Sequence, residues 1–194
     1  MFSGIIKDKT KILGINKGVF TVENIFNNDN NLKIGDSVAH DGACMTITEI
    51  SNEKYSFFVM EESINKTNFS HKKIGDYFNI EGSLKLSDSL DGHFVTGHVD
   101  TTGIIKKLDT KNDASKIIHV AFDEKHVNLI INKGSITING VSLTIVDDGK
   151  DFLSVSIIPL TQEITNLGLL KTGDIVNLEF DMIGKYINKI HSNS

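Results

Sequence analysis

The stretch DGACMTITEI at residues 41–50 is repeated in outline as NGVSLTIVDD at residues 139–148. A glycine, a threonine and an isoleucine recur at a spacing of 98 residues (140 − 42): Gly42, Thr46 and Ile47 correspond to Gly140, Thr144 and Ile145. The same spacing joins further identical pairs: Ser37 and Ser135, Ser56 and Ser154, Thr67 and Thr165, Asn68 and Asn166, Gly75 and Gly173, Asn79 and Asn177, Glu81 and Glu179. Matches that keep one register over this length indicate an internal duplication of a domain-sized unit.

The tetrapeptide GIIK also occurs in both halves, at residues 4–7 and at residues 103–106. Its spacing is 99 residues (103 − 4), one more than that of the other matches. We therefore expect the two halves to begin with equivalent segments, with one residue gained or lost between them. Two chemically distinctive residues differ between the copies, because Asp41 corresponds to Asn139 and Cys44 corresponds to Ser142.

The composition restricts the class of protein. The 194 residues are 39% hydrophobic and 23% charged, which is typical of a folded chain rather than a disordered one. The net charge is −5 and all 20 basic residues are lysine. An acidic chain without arginine is a poor candidate for binding nucleic acid. The single cysteine, Cys44, permits no internal disulfide and no C-x-x-C metal motif.

We expect no signal for export or for membrane insertion in this chain. Its N-terminus lacks the layout of a signal peptide, and no apolar run approaches the roughly 18 residues that a membrane span requires. The sequence therefore predicts a soluble, cytoplasmic protein that does not bind membranes.

Each half of the sequence is rich in predicted strands. Residues 55–60 and 152–158 are β-branched and aromatic, and residues 134–146 alternate between apolar and polar side chains. Asp41-Gly42 and Asn139-Gly140 are typical two-residue turns between strands. Short strands at this spacing predict an all-β fold of two small closed antiparallel barrels in tandem, joined near residues 84–93.

Short helices are predicted after these strands. Residues 61–69 and 159–168 each follow a strand, Pro159 suits a first helical position, and residues 123–130 are a further candidate. In the tail, apolar residues recur at helical spacing: Ile183, Tyr186, Ile187 and Ile190. A terminal helix of about ten residues is marginal alone in water, so we expect it to pack against its own barrels or a partner chain.

Four segments together resemble one family, the riboflavin synthase α chain. They are MFSGII at residues 1–6, SVAHDGACMTIT at residues 37–48, GHFVTGHVDTTG at residues 92–103 and INGVSLTIVDDGKDFLSVSIIPLTQEITNL at residues 138–167. The similarity covers nearly the whole chain in order. The pattern G-x-S-L-T followed by I-P-x-T is specific in this setting, and the twofold repeat makes it more so.

The resemblance implies a fold and a reaction. Family members have two tandem Greek-key six-stranded antiparallel β-barrels and a short C-terminal α-helix that assembles a homotrimer. They convert two molecules of 6,7-dimethyl-8-ribityllumazine into riboflavin and 5-amino-6-(D-ribitylamino)uracil without a cofactor or metal. Each active site lies between the N-terminal barrel of one subunit and the C-terminal barrel of the next. We accordingly expect barrels at residues 1–88 and 89–181 and a trimerisation helix at residues 182–194. An association with lumazine synthase is left open.

Five residues are candidates for catalysis by this resemblance: His98, Ser142, Lys133, Asp181 and Cys44. His98 could exchange protons near neutral pH, or it could be a structural histidine at the junction of the barrels. Ser142 could assist addition at C7 of the lumazine, or it could hydrogen-bond the ring or the ribityl chain. Cys44 is expected to line the first pocket without a covalent role, the alternative being a small buried apolar residue. His93 is expected to be structural.

The remaining two catalytic candidates have equally plain alternatives. Lys133 matches a family lysine near the ligand, but the chain is rich in surface lysines. Asp181 matches a family acidic position and could orient a base or a water molecule. It could instead cap the N-terminus of the terminal helix.

Substrate-binding positions are carried over in pairs that are related by the repeat. Thr46, Met60 and Ser63 correspond to Thr144, Ile158 and Thr161. Further expected contacts are Ser3, Gly4, Ser37, Cys44 and Asn139. Asn139 departs from the aspartate that the family carries at this position. An amide cannot act as a base, and Asn beside Gly140 is also an ordinary turn former.

Three other classes of protein compete with the synthase. A non-catalytic lumazine- or flavin-binding carrier on the same fold would need only one competent pocket. An oligonucleotide-binding barrel is disfavoured by the negative charge and the lack of arginine. A flavin reductase is disfavoured because no G-x-G-x-x-G segment follows the barrels.

Overall fold

The computed structural model describes residues 1–26 and 32–192 and contains two closed antiparallel barrels. The first barrel is formed by β1 (Asp8–Asn16), β2 (Val19–Glu23), β3 (Ser37–His40), β4 (Ala43–Ile50), β5 (Lys54–Phe58) and β6 (Tyr77–Gly82). The second barrel is formed by β7 (Thr101–Thr110), β8 (Lys116–Ala121), β9 (Ser135–Ile138), β10 (Val141–Asp148), β11 (Phe152–Ile157) and β12 (Ile175–Phe180). The predicted all-β, two-barrel fold is confirmed.

Both barrels have the same strand order. The first closes as β1-β2-β5-β4-β3-β6 and the second as β7-β8-β11-β10-β9-β12. Register shifts also recur at equivalent places, between Ile47 and Glu49 and again between Ile145 and Asp147. Such bulges bend a strand and help to close a small barrel. The duplication read from the sequence is therefore a duplication of the fold.

The predicted helices are present and short. They are α1 (Glu61–Lys66), α2 (Pro159–Ile164) and α3 (Met182–His191), with 3-10 turns at Asn68–His71, Glu124–Leu129 and Asn166–Leu169. α1 and α2 occupy equivalent places after β5 and β11. The last two residues of the predicted helix at 182–194 lie outside the described residues. No helix in the described part of the chain is long and apolar enough to cross a membrane.

The two cores differ in chemistry although their backbones match. The first barrel encloses a set of aromatic side chains in mutual contact: Phe20, Tyr55, Phe57, Phe69 and Phe78. His40 is buried among them, with its ring centroid 4.0 Å from that of Phe57. The core of the second barrel is mostly isoleucine, valine and leucine. Ile138 stands there at the position that corresponds to His40.

Each barrel receives a segment from the other half of the chain. Phe2 and Val95 exchange backbone hydrogen bonds, of 2.8 Å from the Phe2 amide and 3.1 Å from the Val95 amide. Ile6 belongs to the core of the second barrel, and Val99 packs against the core of the first. The segments that precede β1 and β7 are therefore crossed over, which ties the barrels together.

The expectation drawn from the GIIK tetrapeptides is wrong. Residues 103–106 lie within β7, whereas residues 4–7 precede β1. Ile12 donates to the carbonyl of Asp76 and Ile105 donates to the carbonyl of Asp174, which makes β1 and β7 equivalent at a spacing of 93 residues (105 − 12). The structural counterpart of Gly4 is thus Gly97 (97 − 4 = 93).

A buried polar network fills the seam between the barrels. The predicted turns are present: Asp41 and Asn139 both have positive φ, at 45° and 46°, and each is followed by a glycine. The turns touch, since a Cβ on Gly42 would lie 2.9 Å from the amide nitrogen of Gly140. Four asparagines from both halves complete the network: Asn68, Asn79, Asn166 and Asn177.

Strands of the two barrels span residues 8–82 and 101–180, with the junction between them. The domain limits at 88/89 and 181/182 remain predictions. The crossed segments mean that neither barrel is built from its own half of the chain alone.

Candidate active site

The repeated motif places pairs of polar side chains on the outer face of each barrel. In β4, Cys44 and Thr46 alternate with buried Ala43, Met45 and Ile47. Side chains two apart on a strand share one face, so Cys44 and Thr46 both point away from the core. In β10, Ser142 and Thr144 occupy the equivalent outward positions.

The neighbouring strand contributes cross-strand partners on each of these faces. In the first barrel Ser37 pairs with Thr46, and Ala39 pairs with Cys44. In the second barrel Ser135 pairs with Thr144, and Thr137 pairs with Ser142. The two surfaces thus share a Ser–Thr pair and differ at the other pair, which is Ala–Cys in one and Thr–Ser in the other.

A glycine turn from the opposite half closes over each surface. The amide of Cys44 donates to the carbonyl of Gly97, and the amide of Ser142 donates to the carbonyl of Gly4, both at 2.8 Å. Gly4 and Gly97 have φ of 76° and 81°. A Cβ on either glycine would lie 2.7 Å from the Cβ of the residue it covers, so only glycine fits these close approaches.

Two carboxylates, the half-buried Glu81 and the buried Glu179, hold the glycine turns in place. Glu81 accepts hydrogen bonds from the amide and hydroxyl of Ser3 and from the amide of Gly4. Glu179 accepts the equivalent three from Thr96 and Gly97. Burial raises the pKa of both carboxyl groups, and the hydrogen bonds from the turn partly oppose this shift. The recurrence of Glu81 as Glu179 in the repeat was the signal in the sequence that could have identified this pair.

His98 lies directly after the turn that covers Cys44. Its side chain is exposed, and its amide donates to the hydroxyl of Thr96 at 3.3 Å. The position that corresponds to it in the other segment is Ile5 (98 − 5 = 93). The histidine is therefore associated with the first surface of its own chain, and the second surface has an apolar residue in that place. Its proposed role in proton exchange is compatible with this exposure.

His93 is brought against Ser142, which sequence reasoning did not anticipate. The junction folds back over β9 and β10, and His93 Nδ1 lies 2.7 Å from Ser142 Oγ while Nε2 lies 3.2 Å from Thr137 Oγ1. Burial lowers the pKa of His93, and the negative charge of Asp181 opposes this shift. The expected structural role of His93 is compatible with a role at Ser142, because the same hydrogen bonds hold the junction and contact the Ser142 hydroxyl.

Lys133 and Asp181 have the local roles that were kept as alternatives. Lys133 is exposed, with φ of 65°, and its amide donates to the carbonyl of Ile145. Asp181 is the N-cap of α3, and its carboxylate accepts from the amide of Ile183 at 3.0 Å. Capping and catalysis are not exclusive, so a catalytic part for Asp181 or Lys133 stays a prediction.

Three of the expected substrate contacts are engaged within the chain. Ser3 is 5% exposed and its hydroxyl donates to Glu81. Gly4 is buried and lies against Ser142. Asn139 is 1% exposed, and its side-chain oxygen accepts from the amide of Asn177 and from Asn68 Nδ2. Contacts of these residues with a substrate stay predictions. The sequence did not indicate the hydrogen bonds of Ser3 or the close packing of Gly4, whereas it did predict the turn at Asn139.

The remaining expected contacts surround the outward surfaces at equivalent places. Met60 and Ile158 are the N-cap residues of α1 and α2 and are 62% and 57% exposed. Ser63 and Thr161 follow within those helices and are half-buried. The apolar side chains at Met60 and Ile158 could pack on a flat ring, while the amides and hydroxyls nearby could bind its polar edge.

A separate cleft lies at the seam of the barrels. Its volume is about 390 Å³, and its lining includes Asn68, Lys72, Asn139 and Asn166. Asn139 is the one expected site residue among those that line it. Among the residues that the structure describes, no three His, Cys, Asp or Glu side chains gather as ligands for a metal ion.

These features define a class of protein: a tandem-barrel protein with two outward surfaces that are equivalent in backbone and different in chemistry. The lumazine binding domain matches residues 3–83 and again residues 96–181. The chain therefore belongs to the lumazine-binding domain family, in a two-copy arrangement.

Curated relatives and solved structures agree with this placement. Riboflavin synthase of Actinobacillus pleuropneumoniae is 39% identical over 192 residues, which cover 97% of this chain and 89% of the relative. Riboflavin synthase of Escherichia coli (strain K12) is 37% identical over 185 residues, which cover 93% and 87%. LumP complexed with riboflavin has a TM-score of 0.85 at 23% identity, covering 93% of this chain and 99% of LumP. That likeness concerns the fold.

Proposed function

We propose that this chain is a riboflavin synthase, a transferase that moves a four-carbon unit between two molecules of 6,7-dimethyl-8-ribityllumazine. The products are riboflavin and 5-amino-6-(D-ribitylamino)uracil. One observation carries the proposal: a single chain presents the same cross-strand Ser–Thr pair twice, once across β3 and β4 and once across β9 and β10. Two copies of one surface suit a reaction between two copies of one substrate. The full-length similarity to curated riboflavin synthases supports the same function.

The differences between the surfaces suit the different roles of the two substrates. One lumazine must lose a proton from its C7 methyl group, and the other must accept a nucleophile at C7. His98 stands beside the first surface and Ser142 within the second. A surface pair with identical chemistry could bind both molecules but could not assign these roles.

Alignment supplies most of the rate enhancement in this account. Holding two reactants in register can lower a barrier by roughly 7–11 kcal/mol. Positioned proton transfer adds about 10²–10⁴-fold. His98, Ser142, Cys44, Lys133 and Asp181 are the groups we propose for this transfer and for binding its intermediates.

The productive pair of surfaces is proposed to lie between subunits of a homotrimer. Within one chain, the Cys44 and Ser142 surfaces are each covered by a turn of the opposite half. A neighbouring chain could place its second surface against the first surface of this one. Helix α3 leaves four apolar side chains more than half exposed, which suits assembly: Ile183, Tyr186, Ile187 and Ile190. We place the enzyme in the cytoplasm, and an association with lumazine synthase stays a prediction.

The test is to incubate the purified protein with 6,7-dimethyl-8-ribityllumazine alone. We expect riboflavin fluorescence without added metal or nucleotide, and two lumazine molecules consumed for each riboflavin formed. His98→Ala should slow the reaction far more than His71→Ala, since His71 is exposed in the 3-10 turn after α1. If the lumazine is bound but not consumed, the protein is a carrier and the proposal is overturned.

A further inference from the structure

The outward surface of the second barrel contains a hydrogen-bonded chain that the first barrel lacks. His93 lies 2.7 Å from Ser142 Oγ through Nδ1 and 3.2 Å from Thr137 Oγ1 through Nε2. Ser142 and Thr137 are cross-strand partners on β10 and β9. One imidazole therefore bridges the pair of hydroxyl groups from above, and it is only 9% exposed.

The equivalent place on the first barrel is apolar. Ala39 and Cys44 form the corresponding cross-strand pair, and they pack with Phe2 and Val95. The bridge is thus specific to the second surface, and duplication of the fold does not explain it.

We propose that His93 is a positioning residue that fixes the hydroxyl of Ser142 for the substrate molecule on the second surface. In this arrangement His93 Nε2–H donates to Thr137 Oγ1, and Ser142 Oγ–H donates to Nδ1. The lone pairs of Ser142 Oγ are then free to face the substrate on the second surface, where they accept from a hydroxyl or N–H group of the substrate. The inference deepens the proposed function and rests on it for the identity of that substrate.

The two distances support this direction of the hydrogen bonds. Bonds with a hydroxyl donor are usually shorter than bonds with an N–H donor, by about 0.2 Å. The 2.7 Å contact suits a hydroxyl donating to Nδ1, and the 3.2 Å contact suits an N–H donating to Thr137. Burial lowers the pKa of His93, which favours the neutral imidazole, in which one ring nitrogen is an acceptor.

Close packing keeps the bridge in one geometry. A Cβ on Gly92 would lie 3.1 Å from Ser142 Oγ and 2.0 Å from the carbonyl oxygen of Ser3. The His93 amide also donates to that carbonyl, at 3.2 Å. The junction therefore packs closely against Ser142 at Gly92, and this packing restricts the position of His93.

The test compares substitutions at His93 that place an amide at different ring positions. The amide of His93→Asn reaches the position of Nδ1, and the amide of His93→Gln reaches that of Nε2. The dissociation constant for 6,7-dimethyl-8-ribityllumazine is measured by quenching of its fluorescence. We expect His93→Ala to weaken binding about tenfold, the worth of one hydrogen bond. His93→Asn should restore it to within about threefold and His93→Gln should not.

A double-mutant cycle separates positioning from general support of the fold. Ser142→Ala should weaken binding as much as His93→Ala, and the double variant should be no weaker than either single one. His71→Asn is the control and should bind as the unmodified protein does. Thermal unfolding of each variant shows whether it is folded. Additive losses in the double variant, or equal behaviour of the Asn and Gln variants, would overturn the proposal.

A spectroscopic measurement is independent of both binding and turnover. The ¹⁵N ring resonances of His93 should report a neutral imidazole protonated at Nε2 at pH 7, and Ser142→Ala should shift the Nδ1 resonance. A proton on Nδ1 would contradict the inference. If the protein forms no riboflavin but shows this tautomer and these binding changes, the proposed function fails and the role of His93 stands.

Discussion

Among single residues, Asp41 is the one whose charge matters most for the stability of the fold. Its carboxylate is fully buried and accepts from four donors of both halves: Lys72 Nζ, Asn68 Nδ2, the Asn79 amide and Asn166 Nδ2. Lys72 lies 2.6 Å away and is nearly buried. A buried charge with this many partners is satisfied, but removing one member of the pair leaves the other uncompensated.

The repeat does not conserve this ion pair in the second half. Asn139 and Leu170 stand at the positions that correspond to Asp41 and Lys72. At this pair of positions the first half contributes a carboxylate and an ammonium group, and the second half contributes two neutral residues. The neutral amide of Asn139 suits this arrangement, because a carboxylate at position 139 would lie in the same buried network without a cation.

We predict that Asp41→Asn lowers the free energy of unfolding by about 3 kcal/mol, because Lys72 loses its counter-ion and one of two oxygens, each accepting from two donors, becomes an NH₂ group. Adding Lys72→Leu, Asn139→Asp and Leu170→Lys moves the ion pair to the other side of the seam and should recover most of the loss. Urea unfolding of the three proteins measures both effects. Equal stability of the single and the fourfold variant would contradict the account.

His40 makes the stability of the first barrel depend on pH. Nδ1–H donates to the carbonyl of Val38, and Nε2 accepts from the hydroxyl of Tyr55 at 2.8 Å. Burial lowers the pKa of His40 from 6.5 to about 3. Between these values the unfolded chain takes up a proton that the folded chain does not, so the stability due to neutral His40 is complete above pH 6.5 and falls as the pH decreases towards 3.

We therefore predict that the unfolding free energy decreases more steeply between pH 6.5 and pH 5 for the unmodified protein than for His40→Gln. The variant should be less stable at pH 7, because it packs less well against Phe57. Urea unfolding at several pH values measures the two slopes. The other histidines are common to both proteins and cancel in the difference. Parallel curves would show that His40 does not titrate in this way.

Some of these residue roles were readable in the sequence and others were not. The outward Thr46 and Thr144 follow from strand alternation and the repeat. The contact of His93 with Ser142 depends on how the junction folds back, which no local pattern encodes. The GIIK match was misleading because the two tetrapeptides are identical by chance. The true counterparts, Gly4 and Gly97, share only the glycine itself, since the close approach of the backbone requires glycine and nothing else in the segment.

At the scale of elements, the contact between two hairpin turns decides how the barrels meet. Gly42 and Gly140 have φ of 82° and 80°, and each leaves no room for a Cβ against the other. Gly75 has φ of 96° and no atom within 4 Å of such a Cβ. The last glycine is a matched control, because it has the same kind of backbone conformation without the contact.

We predict that Gly75→Ala costs about 1 kcal/mol, the strain of an alanine at positive φ. Gly42→Ala should cost about 3 kcal/mol, since overpacking of the seam adds to the same strain. Thermal or urea unfolding of both variants gives the difference. Equal losses would mean that the two turns are not held in contact in solution.

Helix α3 is the element whose exposed face was expected from the sequence. Its apolar stripe is present, and four of its residues are more than half exposed in the single chain. The pattern could not reveal what covers this face, because amphipathic periodicity is the same for a helix on its own barrel and a helix on a partner.

We predict that Ile187→Lys converts a trimer of three 21.4 kDa chains into monomers, because a lysine cannot be buried between apolar helices without a partner charge. Sedimentation equilibrium measures the mass. Lys189→Ala, on the same helix, is the control and should leave the mass unchanged. A monomeric unmodified protein would remove α3 as the assembly element.

At the scale of the whole molecule, the fold was the most predictable feature and the chemistry of the surfaces the least. Repeat, turn signals and strand alternation together predict two barrels, since each is a local property that repeats along the chain. The crossed segments and the seam network depend on contacts between halves and emerge only in three dimensions. These features give one chain two unlike surfaces, which is what a reaction between two like molecules requires.

We propose that each active site combines the first barrel of one subunit with the second barrel of the next. Blocking the first surface with Thr46→Arg, or the second with Thr144→Arg, should abolish riboflavin formation in either homotrimer. After the two variants are unfolded together and refolded as mixed trimers, about a quarter of the unmodified activity should return, because random neighbours bring two open surfaces together at one site in four. Mixed trimers that remain inactive would contradict the account.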